Sequence, residues 1–194
     1  MITLYHSSPS PFDVVKPYGT NSGAIDFGGI FALTDPEGSI DHGSFLHRIE
    51  LEESEVLTQF IIDTEISSDL IESVLRKNLR IESDEDLDLA RHITELDRNV
   101  FDLDEQDQER LCYVFRSDMD ELAWDGQRVR GQIAVAAGYK AVEMSDEHGH
   151  SFLVLPGVEV SLVNHAGTVD AEEDYLGPAL TENEAASRDN GLSM

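Results

Sequence analysis

The chain has 194 residues, 40% of them hydrophobic, and carries 40 acids against 13 bases for a formal net charge of -27. That length predicts one domain with a real core and room for a tail. A surface so acidic repels nucleic acid and anionic membranes, which argues against direct phosphate-backbone binding; it suits a partner with a basic face, or plain solubility. Cys112 is the single cysteine, so neither an intramolecular disulfide nor a cysteine zinc site is possible, and its apolar surroundings in 111–115 read as a buried thiol. No signal peptide opens the chain and no apolar run reaches membrane-spanning length, so a cytoplasmic protein is expected.

Residues 1–6 predict a strand that starts almost at the N-terminus, and Ser7-Ser8-Pro9-Ser10-Pro11 breaks it. A loop rich in Gly, Asn, Ser and Pro follows to about Asp26, long enough to be suspected of function. Residues 27–33 predict a second strand, and the glycines before it let another backbone or a ligand come close. Thr34-Asp35-Pro36-Glu37 is a helix start for a helix kept short by Gly38 and Gly43, and 45–51 predicts a third strand. Residues 55–62 read as a strand or an extended connection.

Residues 65–137 predict a helical insert. Leu70, Ile71, Val74, Leu75 and Leu79 share one face of 68–79; Leu87, Leu89, Ile93 and Leu96 repeat the pattern over 84–96. Between residues 51 and 125 stand 23 acids and 7 bases, a solvated face first and a partner-facing surface second. The best-signalled helix is 117–138: Ser117 or Asp118 caps it, Leu122, Val129, Ile133 and Ala136 to Ala137 form its buried stripe, and Gly138 stops it. Residues 164–194 carry seven acids and one arginine with few large apolar side chains, the composition of a flexible tail.

Residues 138–163 read as three short strands. Val142 and Met144 point one way and Glu143 the other, as in a half-buried strand; 151–155 and 158–163 follow, the last with Val158, Val160 and Leu162 on one face. The first turn holds Asp146, Glu147, His148 and His150, more acids and imidazoles than a hairpin needs. A metal site built from these with His6, His42 or His47 lacks any helical HExxH spacing and is a weak signal. No GxSxG elbow and no phosphate-cradling glycine loop is present. Adjacent Asp146 and Glu147 point to opposite faces of a strand, so only one of the two serves any cleft.

The order of these pieces resembles the ADP-ribosyltransferase fold: α+β, a split β-sheet with an acidic helical insert between the N- and C-terminal strand groups. The resemblance rests on LYHSSP (4–9), GGIFALTDPE (28–37), FLHRIELEES (45–54) and AGYKAVEMSDEHG (137–149). With VFDLDE (100–105) added, five motifs stand in the order found in the ADP-ribosyltransferase anti-CRISPR proteins of phages and mobile elements that act on type I-F complexes. It covers most of residues 1–163. The resemblance implies NAD as co-substrate, bound between two sheet halves. It implies that Asp146, with Glu147 second, stabilises the ribosyl cation. His6 would bind the adenosine-side ribose, the Ser7 main chain the nicotinamide amide, and Phe31, Thr34 and Asp35 would line the cleft. Tyr5 faces away from His6, toward core packing. Two departures follow: His42 stands where many relatives stack a tyrosine on nicotinamide, and Asp146 replaces the usual glutamate. Two functions are therefore expected to compete. One is a mono-ADP-ribosyltransferase of a CRISPR effector subunit in a bacterial host cell. The other is a non-enzymatic acidic protein that blocks a basic nucleic-acid site by mimicry.

Overall fold

Alternating apolar residues set the first strand, β1 (Ile2–Ser8), whose Leu4 is fully buried while Tyr5 stays half-buried outside the core. Leu4, not Tyr5, is thus the packing residue of this strand. The predicted break at Ser7 comes later, at Pro9, because Ser7 and Ser8 still pair with Leu46 and Phe45 of β3 (Phe45–Leu51). The computed structural model describes residues 1–16, 28–95, 100–146 and 149–163, and only the main chain of Ile40, Asp41, His42 and Asp146. The loop before Asp26 in large part, Leu96, Glu147, His148 and the acidic tail 164–194 lie outside the described residues.

The second strand, β2 (Ile30–Ala32), is shorter than the predicted 27–33. A Cβ on Gly29 would collide with the carbonyl of Val154 on the neighbouring strand, so only glycine allows this approach. A short 3-10 helix, Glu37–His42, follows; Asp35 Oδ1 accepts from the Glu37 N–H at its start. The ambiguous stretch 55–62 resolves into β4 (Val56–Leu57) and α1 (Gln59–Thr64), the latter capped by Thr58. The insert then runs through α2 (Ser68–Asn78), α3 (Asp84–Ile93), α4 (Glu105–Phe115) and α5 (Met119–Ala137). Asp118 occupies the N-cap of α5 but makes no side-chain cap bond, and Gly138 ends the helix at φ 84°. The buried stripe of α5 ends at Ala134 rather than Ala136, because Leu122, Gly126, Arg130 and Ala134 follow each other at four-residue steps on the inner face.

The hairpin β5 (Ala141–Asp146) and β6 (Gly149–Val154) is as expected, but the third strand leaves it. Gly157, at φ 92°, turns the chain so that its N–H reaches Val15 O, and Val160 N–H reaches Asp13 O. β7 (Ser161–Leu162) therefore pairs with β3, in the other sheet, and Leu162 is half-exposed instead of sharing a buried face with Val158. The two sheets have strand orders β1-β3-β7 and β2-β6-β5-β4. One apolar layer, with Leu4, Ile49 and Leu51 against Val56, Ala141, Phe152 and Val154, fills the space between the sheets; a second, with Val142, Met144 and Leu153, joins the four-stranded sheet to the helices. β5 is thus covered on both faces from Ala141 to Met144, and Glu143 is not solvent-facing as its alternation suggested. The architecture is α+β, a split sheet with a helical insert between β4 and β5. Among the described residues no helix is long and apolar enough to cross a membrane.

The insert has one charged joint of its own. Asp86 is buried at the start of α3, where Oδ2 accepts from the N–H groups of Glu82 and Ser83 and Oδ1 accepts from Arg110 Nε at 2.6 Å. Burial pushes its pKa up, but Arg110 and the two N–H donors outweigh it and hold the carboxyl below its usual range. Between the sheets, His47 is fully buried; burial lowers its pKa below 6.5 against two weaker hydrogen bonds that raise it. Both groups make the fold acid-sensitive, in separate windows. As pH falls below 6.5 the unfolded chain protonates residue 47 while the folded chain resists, so stability declines there first. Asp86 stabilises above its unfolded pKa, roughly 3.9, and its contribution is lost as pH falls through the lower folded value. Urea melts across pH 4.5 to 7 are expected to show the first decline, and His47→Gln is expected to flatten it.

Candidate active site

The two sheets meet at β1 and β2, and they meet only briefly. Tyr5 and Leu33 exchange both main-chain hydrogen bonds, at 2.7 and 2.9 Å. Main-chain directions repeat every second residue, so Ser7 on β1 and Phe31 on β2 turn their N–H and C=O groups toward the same edge. Past the Tyr5–Leu33 bridge, the His6 ring spans that edge: Nδ1 lies 2.7 Å from Phe31 O and, facing a carbonyl, must be the protonated nitrogen. The split between the sheets starts here.

His6 is buried, edge-on to Phe12 with ring centroids 5.9 Å apart. Phe12 in turn stacks on His47 at 4.1 Å and donates its N–H to His47 Nε2 at 3.2 Å. That acceptor role fixes the His47 proton on Nδ1, which faces His6 O at 3.4 Å. The position of His6 is thus set from three sides by β2, β3 and the segment after β1. Ser7 Oγ donates to Ser39 O, and Ser39 Oγ lies within reach of Tyr5 O and Asp35 O, which ties the 3-10 helix to β1. Gly43 permits the same closeness, since a Cβ there would strike the main chain of Ser8.

Of the residues singled out in the sequence, His6, Ser7 and Phe31 come together at the split. Phe31 contributes its carbonyl there, while its ring packs with the helix-side core. Thr34 and Asp35 are exposed in the turn after β2. β2 and β5 both run antiparallel to β6, so this turn and the main chain of Asp146, paired with Gly149, share one end of the four-stranded sheet. The side chains of Asp146 and His42, and all of Glu147, lie outside the description.

The sequence reading missed Glu143 and Arg130, and gave His150 only a place in a weak metal signal. Ala32 pairs with Phe152, and Phe152 with Glu143; paired residues share a face, so Glu143 lies on the side where Ala32, Phe152 and Ala141 meet the other sheet. His150, two residues before Phe152, joins that face with Nε2 3.4 Å from Glu143 Oε1. Glu143 Oε2 accepts from the Gln59 N–H at the start of α1, at 2.9 Å. Arg130, buried on α5, donates Nε to Glu143 O and Nη1 to Gln59 Oε1 and Thr94 O. The signal available for Arg130 was its place at a four-residue step between Gly126 and Ala134. For Glu143 the alternation carried none, since a second sheet leaves the same period as water.

The inter-sheet layer supplies an apolar floor beside the split edge. Residues 2–162 match the family model described as anti-CRISPR type I-F ADP-ribosyltransferase AcrIF11. A solved structure titled "Crystal structure of an anti-CRISPR protein" superposes with a TM-score of 0.54 and 30% identity, over 84% of this chain and 95% of that one. No curated protein matches. The chain belongs to the anti-CRISPR type I-F ADP-ribosyltransferase family, whose enzymes take NAD as co-substrate.

Proposed function

We propose that this enzyme binds NAD in the split beyond the Tyr5–Leu33 bridge and transfers ADP-ribose to a subunit of a type I-F effector, at the basic surface that receives DNA. NAD supplies the ADP-ribosyl group, released as its nicotinamide–ribose bond breaks. His6 is assigned to the adenosine-side ribose, its ring held in place by the contact of Nδ1 with Phe31 O. The Ser7 main chain is assigned to the nicotinamide carboxamide, and Phe31, Thr34, Asp35 and His42 to the walls around it. Asp146, with Glu147 second, is assigned to stabilising the developing positive charge on the ribose, a task a carboxylate performs. The observation that carries this reading is the split itself, where the ladder gives way to an imidazole bonded to a carbonyl.

The insert gives the charge a role. Asp69, Glu82, Asp84, Glu85, Asp88, Asp102, Glu105 and Glu109 are exposed on it, a face complementary to a basic, phosphate-binding surface. The protein acts in the cytoplasm of a bacterial host cell, where such effectors work. A purified type I-F effector complex incubated with labelled NAD and this protein is expected to become labelled, and His6→Ala is expected to abolish the label. DNA binding blocked without NAD, equally by wild type and His6→Ala, would instead make the protein an acidic mimic.

A further inference from the structure

Glu143 and His150 have no part in the assignments above, yet their arrangement is that of a positioned base. The carboxylate is anchored first: Oε2 is held by the Gln59 N–H at 2.9 Å, and the strand beneath it by Arg130 Nε on Glu143 O at 2.8 Å. Its other oxygen faces His150 Nε2 at 3.4 Å. A carboxylate only accepts, so the imidazole nitrogen facing it is the one that carries the proton. Nδ1 of the neutral ring is then a lone pair turned away from Glu143. The ring stands edge-on to Phe152, with centroids 4.9 Å apart, and its side chain is 53% exposed, so an incoming group can reach it. His150 pairs with Ser145, directly beside Asp146 on β5.

We propose that His150, oriented by Glu143, is the general base that takes the proton from the acceptor side chain during transfer. The inference rests on the reading of Asp146 as the ribose-facing carboxylate, since that places the reacting carbon near the hairpin tip. The balance is complete without a further reactant. The acceptor X–H gives its proton to Nδ1, the X–C1′ bond forms, and the C1′–nitrogen bond breaks with its electron pair going to nicotinamide. The imidazolium that results sits against the Glu143 carboxylate. On the helix packed against β5, Arg130 is the charged group that touches this residue, through Nε on Glu143 O. Glu143 is a positioning residue: it sets the tautomer and stabilises the protonated ring.

The test is the initial rate of label transfer from NAD to a type I-F effector complex across pH 5 to 9, with NAD binding followed separately by calorimetry. Wild type is expected to show one rise ending in a plateau. His150→Gln is expected to lose the rise and about 10²-fold in plateau rate with NAD binding kept. His150→Ala is expected to regain rate when free imidazole is added. Glu143→Gln is expected to lower the plateau rate with NAD binding kept, because the carboxylate that turns Nδ1 outward is gone. A His150→Gln profile matching wild type, or no response of His150→Ala to imidazole, overturns the inference. Asp146→Asn separates the two readings. Transfer that survives it overturns the site assignment. Transfer lost in Asp146→Asn but intact in His150→Gln overturns only the base. No label from wild-type protein overturns both.

Discussion

Asp146→Asn is expected to leave a folded protein that transfers ADP-ribose about 10³-fold more slowly than wild type. The substitution keeps the size of the side chain and removes only its charge. Residue 146 closes the β5 ladder, opposite Gly149, whose φ of 92° suits the turn; main-chain pairing there does not depend on a carboxylate. The melting temperature is therefore expected to hold within about 3 °C, a shift worth roughly 1 kcal/mol in a chain of this size. The rate is another matter. A preorganised group aimed at charge that develops only in the transition state contributes roughly 3–4 kcal/mol, which is the loss expected here. Measuring label transfer and melting on the same preparation decides it. A loss under about tenfold would shift the role to Glu147, for which Glu147→Gln is the paired measurement.

Arg130→Met carries the largest expected effect on stability. The arginine is 2% exposed and joins three elements: its donors reach Glu143 O on β5, Gln59 Oε1 on α1 and Thr94 O after α3. Methionine fills most of the volume but donates nothing, so acceptors that the folded chain buries are left without their donor. Each such acceptor costs roughly 1–3 kcal/mol, and about 3–5 kcal/mol is expected in total. That corresponds to a drop of roughly 10 °C in thermal melting. An unchanged melting curve would show that water reaches these carbonyls and that the joint is dispensable. The effect should extend to chemistry as well, since Arg130 places both the strand and the Gln59 amide that hold the Glu143 carboxylate.

Much of this architecture was legible in the sequence because burial on one side leaves a period. β3 and the helices α2, α3 and α5 all bury one stripe, and they fall within a few residues of their predicted bounds. The errors have physical causes too. The strand after Pro156-Gly157 reads as part of the hairpin because alternation marks a strand but not its partner; the hydrogen bonds of Gly157 and Val160 to Val15 and Asp13 carry it to the other sheet. Glu143 was read as solvent-facing because alternation cannot tell water from a second sheet. The site is legible only in part. His6 and Ser7 stood out at a strand end, whereas the edge that gives them meaning is created by β2, more than twenty residues away in sequence. Arg130 was hidden inside an otherwise apolar helix face, where a single basic residue does not disturb the pattern.

The β4–β5 contact has a consequence for how the chain folds. These strands are parallel, with Val56 opposite Ala141 and Leu57 opposite Val142, and everything from Thr58 to Lys140 lies between them. Closing a loop of that length costs about 4 kcal/mol of chain entropy, and two residue pairs do not offset it. The edge of the four-stranded sheet therefore waits for the helices to collapse and draw its ends together. Amide exchange should show the same dependence in the native protein: β4 and the Gln59 amide opening together with α2 and α5, while β1 and β3 stay protected. Gln59 is the donor that anchors Glu143. A lobe whose acidic surface meets the partner would thus also hold one face of the catalytic sheet in register, and a partner that rigidifies the lobe would steady that face.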